Sequence, residues 1–338
     1  LRVPLLQVKD LTIVFDSKTR EAVKAVDGVS FSIWPGEVVG LVGESGSGKS
    51  VTALSILNLI SFKKGRIESG EILYKGKEIL SLPPKKIRKI RGSEIAIIFQ
   101  EPMTSLNPVL HVGLQITEVI CTHFGVSRKD ANVMAVDLLR NVGIPDAERR
   151  MKSYPHHLSG GMRQRVMISM ALACKPGLLI ADEPTTALDV TIQRQILDYL
   201  QQVMKKGQMS MLFISHDLGV IGEVCDRVMV MYAGRILETG TTLEIFKTPL
   251  HPYTRALVKV SGGFYHAGNK LPVVPGMAAD LSGLPKGCKF HPRCSQVHRL
   301  CREVEPTLKS YQKSGLSGKE RWVRCWEYTK MCKKESSS

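Results

Sequence analysis

The 338-residue sequence has no uncharged apolar run near the roughly 18 to 20 residues that a membrane-spanning helix needs. Its opening, LRVPLLQVKD, lacks the basic, apolar, small-residue order of a secretory signal. Neither a transmembrane carrier nor a secreted protein is expected, and the cytoplasm is the expected compartment. Aromatic residues make up only 6%, and no basic stretch is interleaved with stacking rings in the way single-strand nucleic-acid binders need. Cysteine is scarce, 8 in all, and no tight C-x2-C pair of the kind structural zinc uses occurs. No internal repeat and no long low-complexity segment is found.

What is present fits one full domain plus an appendage: 43% hydrophobic and 23% charged residues form an ordinary globular balance. The net charge is +16, and it is uneven, with sixteen Lys and Arg against six Asp and Glu between 251 and 338. A solvated basic face, anionic headgroups, phosphates or an acidic partner would each account for that surplus.

The opening reads as strands, LLQVKDLTIVF and then VSFSI, closed by the turn residues Trp34, Pro35 and Gly36. EVVGLVG follows as a strand entering a glycine-rich loop, and TALSILNLI has helical spacing, giving the strand, loop and helix of a phosphate-binding unit. Residues 101 to 170 carry helical patterns and few strand runs. From 177 the β character returns in GLLIADEP, the helical VTIQRQILDYLQQVMKK, the strand SMLFISHD and the strand VMVMYAGRILETG. This alternation predicts a mixed α/β core. A turn-rich stretch begins near Thr248, where the appendage is expected to start.

Gly43, Glu44, Ser45, Gly46, Ser47, Gly48, Lys49 and Ser50 fit G-x-x-x-x-G-K-[ST] in full. Such a loop turns successive N–H groups towards an anion, backed by the positive end of the following helix. Lys49 is the expected partner of the β and γ phosphates of ATP, and the Ser50 hydroxyl of Mg²⁺. The apolar strand LLIADE supplies the carboxylates: Asp182 to hold Mg²⁺, and Glu183 to orient and deprotonate the attacking water as general base.

At LSGGMRQR, residues 158 to 165, the chain departs from a generic phosphate-loop protein. The segment resembles the signature motif of ABC ATPases and lies in that family's order between loop and acidic strand. Gln100 ending IAIIFQ, TALD at 186 to 189, His216 in FISHD, and Phe15 where the family has a ring stacking on adenine extend the resemblance over residues 1 to about 245. Met162 replaces the commonest Gln of the signature, with Ser159, Gly160 and Gly161 intact. The resemblance implies an α/β fold with a RecA-like mixed sheet core, an antiparallel β part and an inserted helical subdomain at about 101–170, all within residues 1–247. It also implies a head-to-tail dimer in which Ser159, Gly160, Gly161 and Gln164 serve the partner's ATP and Asp189 lies near the interface. Gln100 would link the γ phosphate and Mg²⁺ to the helical subdomain. His216 would stabilise charge there and position the water with Glu183.

HPYTRAL at 251 to 257 and VVPGMAADLSGLPKGCKFHPRC beyond it resemble the C-terminal extension of ATPases that drive dipeptide and oligopeptide importers. That resemblance implies two transmembrane permease subunits, a second and related ATPase, an extracytoplasmic peptide-binding protein acting indirectly, and a place at the cytoplasmic face of the membrane. The alternative is an ABC-type ATPase acting on nucleic acid. It is disfavoured because the interval from Gly43 to Ser159 has no room for the long insertions of repair proteins and the chain carries one cassette; no nucleic acid is expected.

Residues 248–338 are expected to form a small turn-rich metal-binding domain. In a reducing compartment a cysteine cluster points to a metal before a disulfide framework. Cys288, Cys294 and Cys301 are spaced C-x5-C-x6-C, and Cys325 completes four thiols, the usual complement of a [4Fe–4S] cluster. Zn²⁺ with help from His291 or His298 stays open, and Cys332 is a spare fourth ligand. In the family this pattern is associated with an iron–sulfur cluster, acting here as a staple for a segment poor in apolar material. Cys121, Cys174 and Cys225 stand alone and read as ordinary thiols.

Overall fold

The computed structural model describes residues 3–16, 22–60, 65–101, 105–186, 188–207, 209–261, 274, 276–311 and 321–328. Cys332 and Ala187 of the TALD segment lie outside the described residues. The chain divides into two compact units. One comprises residues 1–5, 33–37 and 81–214; the other comprises 6–32, 38–80 and 215–338.

In the first unit the strand Leu178–Asp182 lies between two parallel neighbours, Ile95–Ile98 and Ser210–Ile214. Every residue of Leu178–Asp182 and Ser210–Ile214 is buried, as expected of parallel strands covered on both faces. Between Ile98 and Leu178 the described residues hold no strand. They form the helices Val112–Phe124, Arg128–Asn141, Ala147–Arg150 and Gly160–Leu172. Gly125 closes the first of these in the left-handed conformation, and the Ser127 hydroxyl caps the second by accepting from the Asp130 N–H. The inserted helical stretch read from the sequence is thus present.

In the second unit Leu6–Phe15 pairs antiparallel with Gly65–Tyr74, flanked by Val23–Ile33 and Lys77–Glu78 in a four-stranded sheet. Val38–Val42, which leads into the glycine loop, pairs parallel with Arg227–Tyr232. The stretch VMVMYAGRILETG, expected as one strand, is instead a hairpin of Arg227–Tyr232 and Arg235–Thr241. Ala233 and Gly234, with φ of 47° and 79°, form its two-residue turn. Positive φ at both central positions matches the twist of the flanking strands. The unread signal was the glycine inside the β-prone run.

The tail is not only turns. Trp322–Val323 adds to Arg235–Thr241 as a further antiparallel strand, and Lys309–Ser310 adds to it in turn. Beneath this pairing lies an ion pair between Arg321 and Glu238, 2.8 Å, with side chains only 8% and 0% exposed. Glu238 also accepts from the N–H groups of Leu250 and His251 at 2.9 and 2.8 Å, and Arg321 donates to Thr248. A buried carboxylate is tolerated only when its oxygens are satisfied in this way. One acid therefore binds the sheet, the start of the HPYT helix and the strand Trp322–Val323 together.

Removing one partner of a buried pair strands the other charge at a cost of about 3–5 kcal/mol. Arg321→Met is expected to lower stability by that order in chemical denaturation. An unchanged midpoint would show that the tail contributes nothing through this pair.

Candidate functional site

The phosphate loop has a shape that only its glycines permit. A Cβ at Gly43 would overlap the Met231 carbonyl, and one at Gly48, φ 104°, would overlap that of Ala25. Gly48 delivers the chain into the helix Lys49–Ile56, whose first turn has no side-chain cap. A helix start of this kind is a place where an anion binds. Lys49 is 6% exposed, and its ammonium donates to the carbonyls of Gly43 and Glu44 at 2.8 and 2.9 Å. The Ser47 hydroxyl is buried in the same loop with no hydrogen-bond partner. A buried unsatisfied hydroxyl is uncommon, and one inside a cradle of N–H groups beside an ammonium suits a phosphate. Ser50 is half-buried in the first turn of the helix. Phe15, at the end of its strand, lays a half-buried ring over Gly65, where a Cβ would meet it.

In the other unit the acidic pair ends the buried strand Leu178–Asp182. Asp182 is 6% exposed. Glu183 follows with φ of 49°, rare for a residue with a side chain. Its N–H donates to the Ile214 carbonyl, and its carboxylate accepts from the Gln100 amide and the Thr186 hydroxyl, both at 2.9 Å. Gln100 and Glu183, 83 residues apart, are thus in direct contact. Thr186, which sequence reasoning did not single out, is the third member of this set. Its signal was its place three residues beyond Glu183.

The signature behaves as a helix start. Ser159 caps Gly160–Leu172 by accepting from the Met162 N–H at 3.3 Å, and both Ser159 and Gly160 are exposed. Gln164 was expected to face a partner's nucleotide, but it is 2% exposed and its amide donates to the Pro184 carbonyl at 2.6 Å. It braces the signature helix against the residue after Glu183. Asp189 is exposed and caps Val190–Gly207 through the Ile192 N–H, 2.9 Å. His216 is exposed, two residues past the end of Ser210–Ile214.

Cys288, Cys294, Cys301 and Cys325 all line one cavity of about 390 Å³, together with His251, Phe290, His291 and His298. Among the described residues no group of three or more His, Cys, Asp or Glu side chains is arranged to hold a metal ion. The thiols surround the cavity without converging on one point. Burial pushes the Cys288 thiol up to about 11 and Cys325 up to about 12, and raises Cys294 as well. Unpaired with a cation, these side chains are neutral at physiological pH. His251 is held neutral by burial, down to about 3, and its Nδ1 accepts from the Tyr253 N–H at 3.0 Å.

Residues 26–186 match the ABC transporter family, and residues 237–301 match the oligopeptide/dipeptide transporter C-terminal region. The oligopeptide transport ATP-binding protein AppD of Bacillus subtilis is 49% identical over 324 residues, covering 96% of this chain and 97% of its own length. The dipeptide transport ATP-binding protein DppD of Haemophilus influenzae is 48% identical over 304 residues, covering 90% and 92%. An ATP-binding cassette solved as a dimer in a post-hydrolysis state with ADP and Pi is similar at 26% identity and a TM-score of 0.63, over 70% of this chain and 98% of that one. The chain belongs to the ATP-binding subunits of the oligopeptide and dipeptide ABC transporters.

Proposed function

We propose that this chain is the ATP-hydrolysing subunit that powers uptake of dipeptides and oligopeptides, working at the cytoplasmic face of the membrane. Two permease subunits would form the path, a related ATPase would pair with this one, and an extracytoplasmic binding protein would deliver the peptide. The observation that carries this reading is the tail. A glycine loop, acidic strand and signature belong to any ABC ATPase, whereas residues 237–301 match the oligopeptide/dipeptide transporter C-terminal region. Among the described residues no helix is long and apolar enough to cross a membrane.

The residues divide the chemistry. Phe15 stacks on adenine, the N–H groups from Gly43, Ser45 and Gly46 to Gly48 cradle phosphate with the Ser47 hydroxyl, and Lys49 turns from its two carbonyls to the β and γ oxygens. Ser50, Asp182 and Gln100 are hard oxygen donors of the kind Mg²⁺ takes. Bound Mg²⁺ would neutralise phosphate charge. Glu183 orients and deprotonates the attacking water. The unusual φ of Glu183 and its two hydrogen bonds support the role, since strain of this kind is retained where a side chain must be aimed. His216 stabilises charge at the γ phosphate. Ser159, Gly160 and Gly161 present their N–H groups to the partner's nucleotide, Gln164 holds their helix in place, and Asp189 sits at the dimer interface.

The cavity fits a group larger than one ion. That four thiols line one cavity of about 390 Å³ supports a [4Fe–4S] cluster as the occupant, with Zn²⁺ the alternative, and the thiols would have to close in on it. A bound cluster would supply four bonds that staple residues 288–325.

Four outcomes test this reading. Glu183→Gln should keep MgATP binding while turnover falls by roughly 10²- to 10⁴-fold; wild-type hydrolysis would remove Glu183 as the base. Lys49→Ala should weaken nucleotide binding by roughly ten- to a hundredfold, since a charged hydrogen bond contributes about 1.5–3 kcal/mol. Protein purified without oxygen should be brown, with about four irons and matching sulfide per chain. A colourless protein with stoichiometric zinc would replace the cluster by zinc. Co-purification with permeases and peptide-stimulated hydrolysis in proteoliposomes support transport, whereas co-purification with nucleic acid would overturn it.

A further inference from the structure

The loop between Cys288 and Cys294 has two sides. One lines the cysteine cavity, through Phe290 and His291. The other reaches the phosphate loop through Arg293, whose guanidinium grips both carboxylate oxygens of Glu44 at 2.7 and 2.8 Å. Arg293 and Glu44 are 249 residues apart in sequence, and the Arg293 side chain is only 7% exposed. Its guanidinium stands over the rings of Tyr232 and Phe290, 5.7 and 5.8 Å from their centroids. The fully buried Tyr253 of the HPYT segment packs against both rings, and its hydroxyl accepts from the Glu44 N–H at 3.0 Å.

Glu44 is therefore held at three points. Its carbonyl accepts from Lys49 and from the Ser47 N–H, its N–H is bound by Tyr253, and its carboxylate is bound by Arg293. Two of these holds come from the tail. When Lys49 leaves its carbonyls for a phosphate, the loop loses one internal brace, and the Ser47 N–H and the two holds from the tail remain. A bidentate Arg–carboxylate pair fixes orientation as well as distance.

We propose that Arg293 is a positioning residue for ATP binding: through Glu44 it keeps the phosphate loop in its anion-binding shape, and so couples the cysteine-lined cavity to nucleotide affinity. The inference rests on the ATPase reading above. It concerns affinity more than chemistry, because Arg293 acts through the phosphate loop. By linkage, nucleotide that gains from an ordered tail must also order the tail.

Fluorescent-nucleotide titration and steady-state kinetics on the full chain test this. Arg293→Gln should raise Kd and KM for MgATP by roughly five- to tenfold while kcat stays within about twofold, as expected of a coupling between neighbouring sites. Arg293→Lys should recover part of the loss, keeping the charge without the fork. Glu44→Gln should raise Kd similarly, and the double variant should bind no worse than either single one. Hydrogen exchange at residues 288–294 should slow on adding MgATP in the wild type and not in Arg293→Gln.

Unchanged affinity in both single variants, additive losses in the double, or a fall in kcat at fixed Kd would overturn the proposal. Should Arg293→Gln not fold, Glu44→Gln reads the same coupling with the tail sequence intact. A wild type that binds no nucleotide would sink the ATPase reading itself. A wild type that binds ATP alongside Arg293 variants that bind it equally well would sink this inference alone.

Discussion

An ammonium sealed from water needs compensating oxygens at once, and in this protein Lys49 finds them in the carbonyls of Gly43 and Glu44. That arrangement is possible only because the loop curls tightly round the side chain, and the curl needs Gly43 and Gly48 where their backbone meets the carbonyls of Met231 and Ala25. Those carbonyls are themselves fixed, Met231 by its place in a buried strand and Ala25 by the antiparallel sheet. The phosphate loop thus takes its shape from the surrounding strands, and the Ser47 hydroxyl is buried within it without a hydrogen-bond partner.

The second set of groups is built differently. Glu183 gets its direction from a left-handed backbone step at the end of a strand and from two hydrogen bonds that reach it from opposite sides in sequence, Gln100 before and Thr186 after. Gln164 links the helix that begins with the signature to the Pro184 carbonyl, next to Glu183. The signature helix and the residue after Glu183 are thus linked by a buried amide. The tail does for the phosphate loop what Gln100 and Thr186 do for Glu183. Tyr253 and Arg293 come from far along the chain, and each fixes an atom of Glu44 that the loop cannot fix itself.

Much of this was legible in the sequence. Apolar runs of five residues ending in glycine or acid gave the central strands, helical periodicity gave the inserted helices, and the glycine loop, acidic pair and signature announced their chemistry by residue type and spacing. The hairpin at Ala233 and Gly234 was missed because an alanine–glycine pair inside a β-prone run is a weak turn signal. Positive φ at both positions becomes evident only when the two strands pair. Gln164 was misplaced because a glutamine beside a phosphate-binding motif looks like a ligand-binding group; its burial depends on where Pro184 lies. The tail's final strand was invisible for a related reason, since two residues carry no periodicity and Trp322–Val323 is a strand only by virtue of the edge it meets.

By itself the sequence determined the chemical inventory: a glycine-rich loop with its lysine, an acidic strand end and a cluster of thiols, because these follow from functional groups and local spacing. Tertiary structure decided which of them meet. It brought Gln100 to Glu183, gathered four thiols around one cavity, and set Arg293 against Glu44. Contacts between residues tens to hundreds of positions apart depend on strand order and on what must be buried together, and no local pattern encodes either.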